Sequence, residues 1–136
     1  MEPLEYTPEG AEILQGKRIL IAHQDPHGIL VLEGYFLEEC NIQTTVVKSC
    51  VLVLRELGMR SDYDFILLDF ETGIFSTQFI ISIIRESWKQ IPILIYSDLS
   101  EEDLLGHGIT EPSIQVSVSL EEVLEKIIEM LSRTQR

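Results

Sequence analysis

The sequence predicts a doubly wound α/β domain: a five-stranded parallel sheet in the order 2-1-3-4-5, with two helices on one face and three on the other. Short apolar runs of strand length alternate with amphipathic stretches of helical period along the whole chain, the pattern of repeated βαβ units. One of these runs, Phe65-Ile66-Leu67-Leu68, is continuously apolar between acids, as a central parallel strand covered on both faces must be. A chain of 136 residues that is 45% hydrophobic and 24% charged has the size of one domain and the apolar surface to build its core.

Residues 1–16 carry Pro3, Pro8, Gly10 and Gly16 among acids and read as a flexible N-terminal tail with at most one short helical turn. The domain then runs from Lys17 to residue 132, leaving 133–136 as a C-terminal tail. Arg18 to Ala22 is the first strand, and Asp25-Pro26 supplies a helix cap followed by proline at the first helical position. Ile29, Leu32, Tyr35, Phe36 and Cys40 form the apolar stripe of that first helix. Ile42 to Val47, with its β-branched Thr44-Thr45-Val46-Val47, is the second strand. Val51, Leu54 and Leu57 mark the next helix, which Gly58 is expected to end.

The third strand is Phe65 to Leu68. Phe79, Ile80, Ile83, Ile84 and Trp88 mark the third helix, and Ile91 to Tyr96 the fourth strand. Ser100-Glu101-Glu102-Asp103 opens a short fourth helix that closes near Gly106 and Gly108, and Ser113 to Val118 is the last strand. Leu120, Val123, Leu124, Ile127, Ile128 and Leu131 place a continuous stripe on the final helix, with Ser119 and Glu122 spaced as a capping box.

Charge and composition narrow the function. Against 10 basic residues stand 23 acidic ones, a formal net charge of -13, and such a surface repels phosphate backbones and anionic lipids. Neither a nucleic-acid nor a membrane partner is expected, whereas a protein with a neutral or basic face fits. The start, Met1-Glu2-Pro3-Leu4-Glu5, has no basic and apolar leader, so a cytoplasmic location is expected. Cys40 and Cys50 stand outside any C-x-x-C or Cys/His cluster and read as buried thiols.

In an open parallel sheet, ligands and reactive groups gather at the carboxyl ends of the strands. Those ends hold His23, Gln24 and Asp25 after strand one, Asp69 to Thr72 after strand three, and Ser97 and Asp98 after strand four. Here the chain resembles the receiver domains of bacterial two-component response regulators, the CheY-like branch of the flavodoxin-like fold. Arg18-Ile-Leu-Ile-Ala-His-Gln-Asp-Pro26 is similar to the family's first strand with its acidic cluster. Tyr63-Asp-Phe-Ile-Leu-Leu-Asp69 resembles its phosphoacceptor strand, and Ile91-Pro-Ile-Leu-Ile-Tyr-Ser97 its fourth. The match spans roughly Lys17 to Leu131.

The resemblance implies transfer of a phosphoryl group from a histidine kinase to one aspartate, with magnesium as the required ion. It places Asp69 at the phosphoacceptor and Glu71 where a backbone carbonyl helps hold the metal. Ser97 takes the place of the hydroxyl that contacts the phosphoryl group. The same alignment exposes three departures. The metal-anchoring carboxylates fall on His23 and Gln24, and an imidazole with a neutral amide suits magnesium poorly. The lysine expected after strand five falls on Val116, and no lysine or arginine stands between Lys89 and Lys126. Finally, Asp98 occupies the usually small position after Ser97, where a carboxylate repels phosphate.

The resulting expectation is a non-enzymatic, receiver-like signalling module, a pseudo-receiver of a two-component or phosphorelay pathway that works through protein contacts. Its partner would be a histidine kinase or an effector protein, with docking or homodimerisation on the face of helix four, strand five and helix five. No cofactor or metal is expected. Asp69, Glu71 and Asp25 are the carboxylates a metal would use if the alternative held, namely a phosphorylatable single-domain regulator with an atypical magnesium site. A small flavodoxin-like enzyme is a further alternative, though no flavin phosphate loop follows strand one and Gly106-His107-Gly108 is too short for one. Asp69 can equally be read as a strand-end carboxylate capping local amides. His23 reads as a solvated or hydrogen-bonded side chain, or as the ligand of a softer metal.

Overall fold

The structure, a computed structural model, describes residues 11–23, 41–60, 62–87, 90–115 and 120–134. Five parallel strands, β1 (Arg18–Ala22), β2 (Gln43–Val47), β3 (Phe65–Asp69), β4 (Ile93–Ser97) and β5 (Ser113–Gln115), form one sheet in the order β2-β1-β3-β4-β5. The described helices are α1 (Cys50–Met59), α2 (Thr77–Ser87), α3 (Glu101–Gly106) and α4 (Leu120–Thr134). The helix expected after Asp25-Pro26, with Cys40, lies outside the described residues, as do Ser119 of the capping box, Trp88 and the end of the last expected strand.

Strand alternation divides the core into two layers. Ile19, Ile21, Phe65, Leu67 and Leu94 face α4 and meet its stripe of Val123, Leu124, Ile127 and Leu131. Leu20, Ala22, Ile66, Leu68, Ile93 and Ile95 face the other way, onto Cys50, Val53 and Leu57 of α1, Ile80, Ile81 and Ile84 of α2, and Leu104 of α3. Phe65 to Leu68 of β3 are buried on both sides, which explains why that strand shows no alternation of polar and apolar residues. Each such buried aliphatic or aromatic side chain contributes about 1.5–3 kcal/mol.

Several boundaries differ from the sequence expectation. The domain begins before Lys17: Ala11–Leu14 form a turn of 3-10 helix, and Leu14 is fully buried against α4 within the first core layer. The pair Ile13-Leu14 in a polar, Pro/Gly-bearing segment is too short to show a period, so its packing was not legible. At the other end α4 continues to Thr134, past the predicted boundary at 132. Gly58 does not end α1, which runs on to Met59 and closes with the Arg60 amide donating to the Glu56 carbonyl at 3.0 Å. The buried stripe of α1 is Cys50, Val53 and Leu57, with Val51 and Leu54 only half-buried at its margin. In α2 the core positions are Thr77, Ile80, Ile81 and Ile84, while Phe79, expected in the stripe, is 42% exposed.

Two polar devices fix the lower, amino-terminal side of the sheet. The Arg18 amide donates to the Asp64 carboxylate at 2.9 Å, and the Asp64 amide donates to the Arg18 carbonyl at 2.8 Å, which aligns β1 with β3. Arg85 of α2 grips Glu111 through Nε at 3.2 Å and Nη2 at 2.8 Å, and donates through Nη1 to the Ile91 carbonyl at 2.6 Å. That fork ties the end of α2 to the segments entering β4 and β5.

Candidate functional site

The carboxyl edge of the sheet brings together His23, Asp69, Tyr96 and Ser97. Asp69 ends β3 and pairs in register with Tyr96 of β4, while Ala22 pairs with Leu68, so His23 emerges level with Asp69. By strand alternation His23, Asp69 and Tyr96 share the face that α4 covers. The His23 and Tyr96 rings meet at a centroid distance of 5.5 Å and an interplanar angle of 47°, and the His23 amide donates to the Val47 carbonyl at 2.9 Å. Burial, reinforced by the charge of Asp69, pushes the Tyr96 hydroxyl above its ordinary range and keeps it protonated.

Ser97 is buried, and its Oγ accepts the Leu99 amide at 2.9 Å, which turns the chain sharply out of β4. That turn leaves Asp98 exposed at the sheet edge. Ser100 then caps α3, its Oγ accepting the Asp103 amide at 3.1 Å, as the acidic start of this helix predicts.

The loop after β3 is held by a buried polar cluster that sequence reasoning missed. Thr77, the first residue of α2, is fully buried. Its hydroxyl accepts the Glu71 amide at 2.7 Å and donates to the Asp69 carbonyl at 2.9 Å. The Thr77 amide in turn donates to the Glu71 carbonyl at 2.9 Å. From the other side the Cys50 thiol donates to the same Asp69 carbonyl at 3.2 Å and lies 3.5 Å from Thr77 Oγ1. The Glu71 carboxylate reaches across to accept the Cys50 amide at 2.7 Å, which caps α1 in place of Ser49, whose own side chain makes no cap.

This is the kind of amide cap the sequence allowed for Asp69; Glu71 makes one instead, on a helix that begins 21 positions earlier. Desolvation, with the Glu71 and Asp69 charges acting in the same direction, pushes the Cys50 thiol far above its ordinary value, so Cys50 is a buried, neutral, unreactive thiol. A polar residue at the head of an apolar helix is the sole sequence mark of this cluster, and it is indistinguishable there from an ordinary helix start.

Gln24, Asp25 and Val116, the remaining predicted site positions, lie outside the described residues. His107 packs its ring on Phe70 at a centroid distance of 5.0 Å, away from His23 and Tyr96. Among the described residues no group of three or more His, Cys, Asp and Glu stands close enough to hold a metal ion. Among the described residues the donors at this edge include the Asp69 carboxylate, the His23 imidazole, the exposed Asp98, and Glu71, whose carboxylate already serves a helix amide. Magnesium takes near-octahedral oxygen ligands, which the His23 imidazole does not supply.

No protein-family model and no curated protein matches the chain. Solved structures do resemble it. The signal receiver domain of a signal transduction histidine kinase from Syntrophus aciditrophicus superposes with a TM-score of 0.76 at 20% identity, covering 89% of this chain and 94% of that one. The receiver domain of response regulator 1452 from Francisella gives 0.73 at 23% identity, covering 88% and 99%. A response regulator receiver protein from Sinorhizobium medicae gives 0.76 at 15% identity, covering 89% and 98%. At these identities the likeness shows the fold: the chain has the architecture of receiver domains.

Proposed function

We propose that this chain is a receiver-like signalling module of a two-component or phosphorelay pathway that acts through protein contacts, without magnesium-dependent phosphorylation of Asp69. The observation that carries the proposal is the commitment of Glu71. At the position where the resemblance puts a metal-holding carbonyl, the carbonyl accepts the Thr77 amide and the carboxylate accepts the Cys50 amide. These bonds tie the loop after β3 into the packing of α1 and α2. The exposed Asp98 and the absence of any lysine or arginine between Lys89 and Lys126 in the sequence support the same reading, since an incoming phosphoryl group would meet negative charge.

Association on the face of α3, β5 and α4 is part of this proposal. A groove of about 400 Å³ lies there, lined by Leu104, Leu105, Ile109, Pro112 and Lys126, and Leu105 is 60% exposed. A groove with an apolar floor and charged margins suits a protein segment.

The test is intact-mass spectrometry after incubation with acetyl phosphate and magnesium. Loss of one charge-stabilising contact costs ~3–4 kcal/mol in a transition state, roughly a hundred- to a thousandfold in rate. With the lysine and the metal carboxylates both replaced, the protein should remain unmodified. A stoichiometric adduct of about 80 Da that vanishes in Asp69→Asn would overturn the proposal and establish the phosphorylatable alternative.

A further inference from the structure

His23 and Tyr96 stand on strands that are not neighbours, yet their rings touch. β1 and β4 each pair with β3 and lie on opposite sides of it. His23, Asp69 and Tyr96 therefore form one row across three strands, on one face of the sheet, with Asp69 in the middle. Two strand spacings set the His23 and Tyr96 backbones ~9.6 Å apart. Side chains standing upright on the sheet would keep that separation. The ring centroids are only 5.5 Å apart, so the two rings lean toward each other over the end of β3, where Asp69 stands. Burial, and then the charge of Asp69, push the Tyr96 hydroxyl above its ordinary range, which puts the carboxylate within electrostatic reach of that ring. Asp69 is half-buried, whereas Asp98, just past β4 at the same edge, is exposed.

We propose that His23 and Tyr96 form an aromatic bridge closed over Asp69, a lid of two side chains that restricts access to this carboxylate and opens by rotation of a ring. The backbone beneath each of the three residues is pinned. The His23 amide donates to the Val47 carbonyl at 2.9 Å. The Asp69 carbonyl accepts the Thr77 hydroxyl at 2.9 Å and the Cys50 thiol at 3.2 Å. Tyr96 is held in register with Asp69 and packs against the core layer under α4. Movement of the strands is thereby blocked as a way to uncover Asp69, and rotation of a side chain remains. A contact between two rings biases such a rotation without locking it. If the rings merely filled the strand ends, removing either would leave access to Asp69 unchanged. The inference rests on the function proposed above in one respect: an aspartate that no longer receives a phosphoryl group can be covered without loss of signalling.

The test is carbodiimide-driven coupling of glycinamide to the carboxylates of the full chain, located by peptide mass spectrometry, with the exposed Asp98 as internal reference. In the wild type Asp69 should couple more slowly than Asp98. Two pairs of variants differ in a ring and not in charge: His23→Ala against His23→Phe, and Tyr96→Leu against Tyr96→Phe. The ring-free member of each pair should couple at Asp69 about two- to tenfold faster than its ring-bearing partner, the range by which an aromatic contact biases an equilibrium. Coupling at Asp98 should not change, and both phenylalanine variants should behave as the wild type. The His23 pair, at the end of a strand, decides the matter by itself if Tyr96→Leu does not fold. Equal coupling at Asp69 with and without the ring, or a wild-type Asp69 that couples as fast as Asp98, would overturn the bridge and leave the proposed function standing. A phosphoryl adduct on Asp69 of the wild type after acetyl phosphate and magnesium would instead overturn the function on which the inference rests.

Discussion

Replacing Thr77 by valine keeps the shape of a fully buried side chain while deleting one hydroxyl, so it isolates the polar cluster that positions the loop after β3. In the wild type that hydroxyl accepts the Glu71 amide at 2.7 Å and donates to the Asp69 carbonyl at 2.9 Å. The carbonyl retains the Cys50 thiol at 3.2 Å in the variant, but the Glu71 amide is left without its acceptor. A lost net hydrogen bond costs about 1 kcal/mol and a stranded amide ~1–3 kcal/mol. Because Glu71 is half-buried and water can reach part of it, the lower half of that range applies, and Thr77→Val should destabilise the fold by about 2–3 kcal/mol. For 136 residues this corresponds to a fall in Tm of roughly 7–10 °C. Urea denaturation followed by circular dichroism, with an unchanged slope, is the assay. Thr77→Ser, which keeps the hydroxyl, should lose about 1 kcal/mol or less. Finding Thr77→Val within about 0.5 kcal/mol of the wild type, or Thr77→Ser as unstable as Thr77→Val, would refute the reasoning, because packing rather than hydrogen bonding would then hold the loop.

Two further outcomes test the frame around the site. Leu14→Ala should cost ~2–5 kcal/mol in the same denaturation experiment, and deletion of residues 1–16 should destabilise the domain at least as much; an unaffected midpoint would mean that the Ala11–Leu14 turn is not part of the core. A double-mutant cycle on Arg85→Ala and Glu111→Ala should give a coupling of about 1 kcal/mol, larger than for an exposed pair because the fork is bidentate and half-buried; additive single effects would show that the pair contributes through its separate contacts alone.

The parallel sheet and the two-layer core were legible in the sequence because they rest on periodicity, whereas the strand order followed from the crossover rule and the family resemblance. Phe65 to Leu68 announce a strand covered on both faces, and the stripe from Val123 to Leu131 announces a helix with one buried side; both are local patterns that burial then satisfies. Asp69 and Ser97 could be placed at the carboxyl edge for the same reason, since each follows directly on an apolar run.

What tertiary structure decided are the contacts between segments distant in sequence. Glu71 caps a helix that begins 21 positions earlier, and Thr77 joins that helix to the end of β3. Arg85 finds Glu111 across 26 positions. No residue spacing encodes such pairs, because each is produced by where the sheet order sets two loops side by side. Whether a position such as Phe79 or Leu14 is inside or out is likewise decided by the neighbours that the packed layers supply, Leu14 being fully buried in the layer that α4 covers while Phe79, beside Phe75, stays 42% exposed.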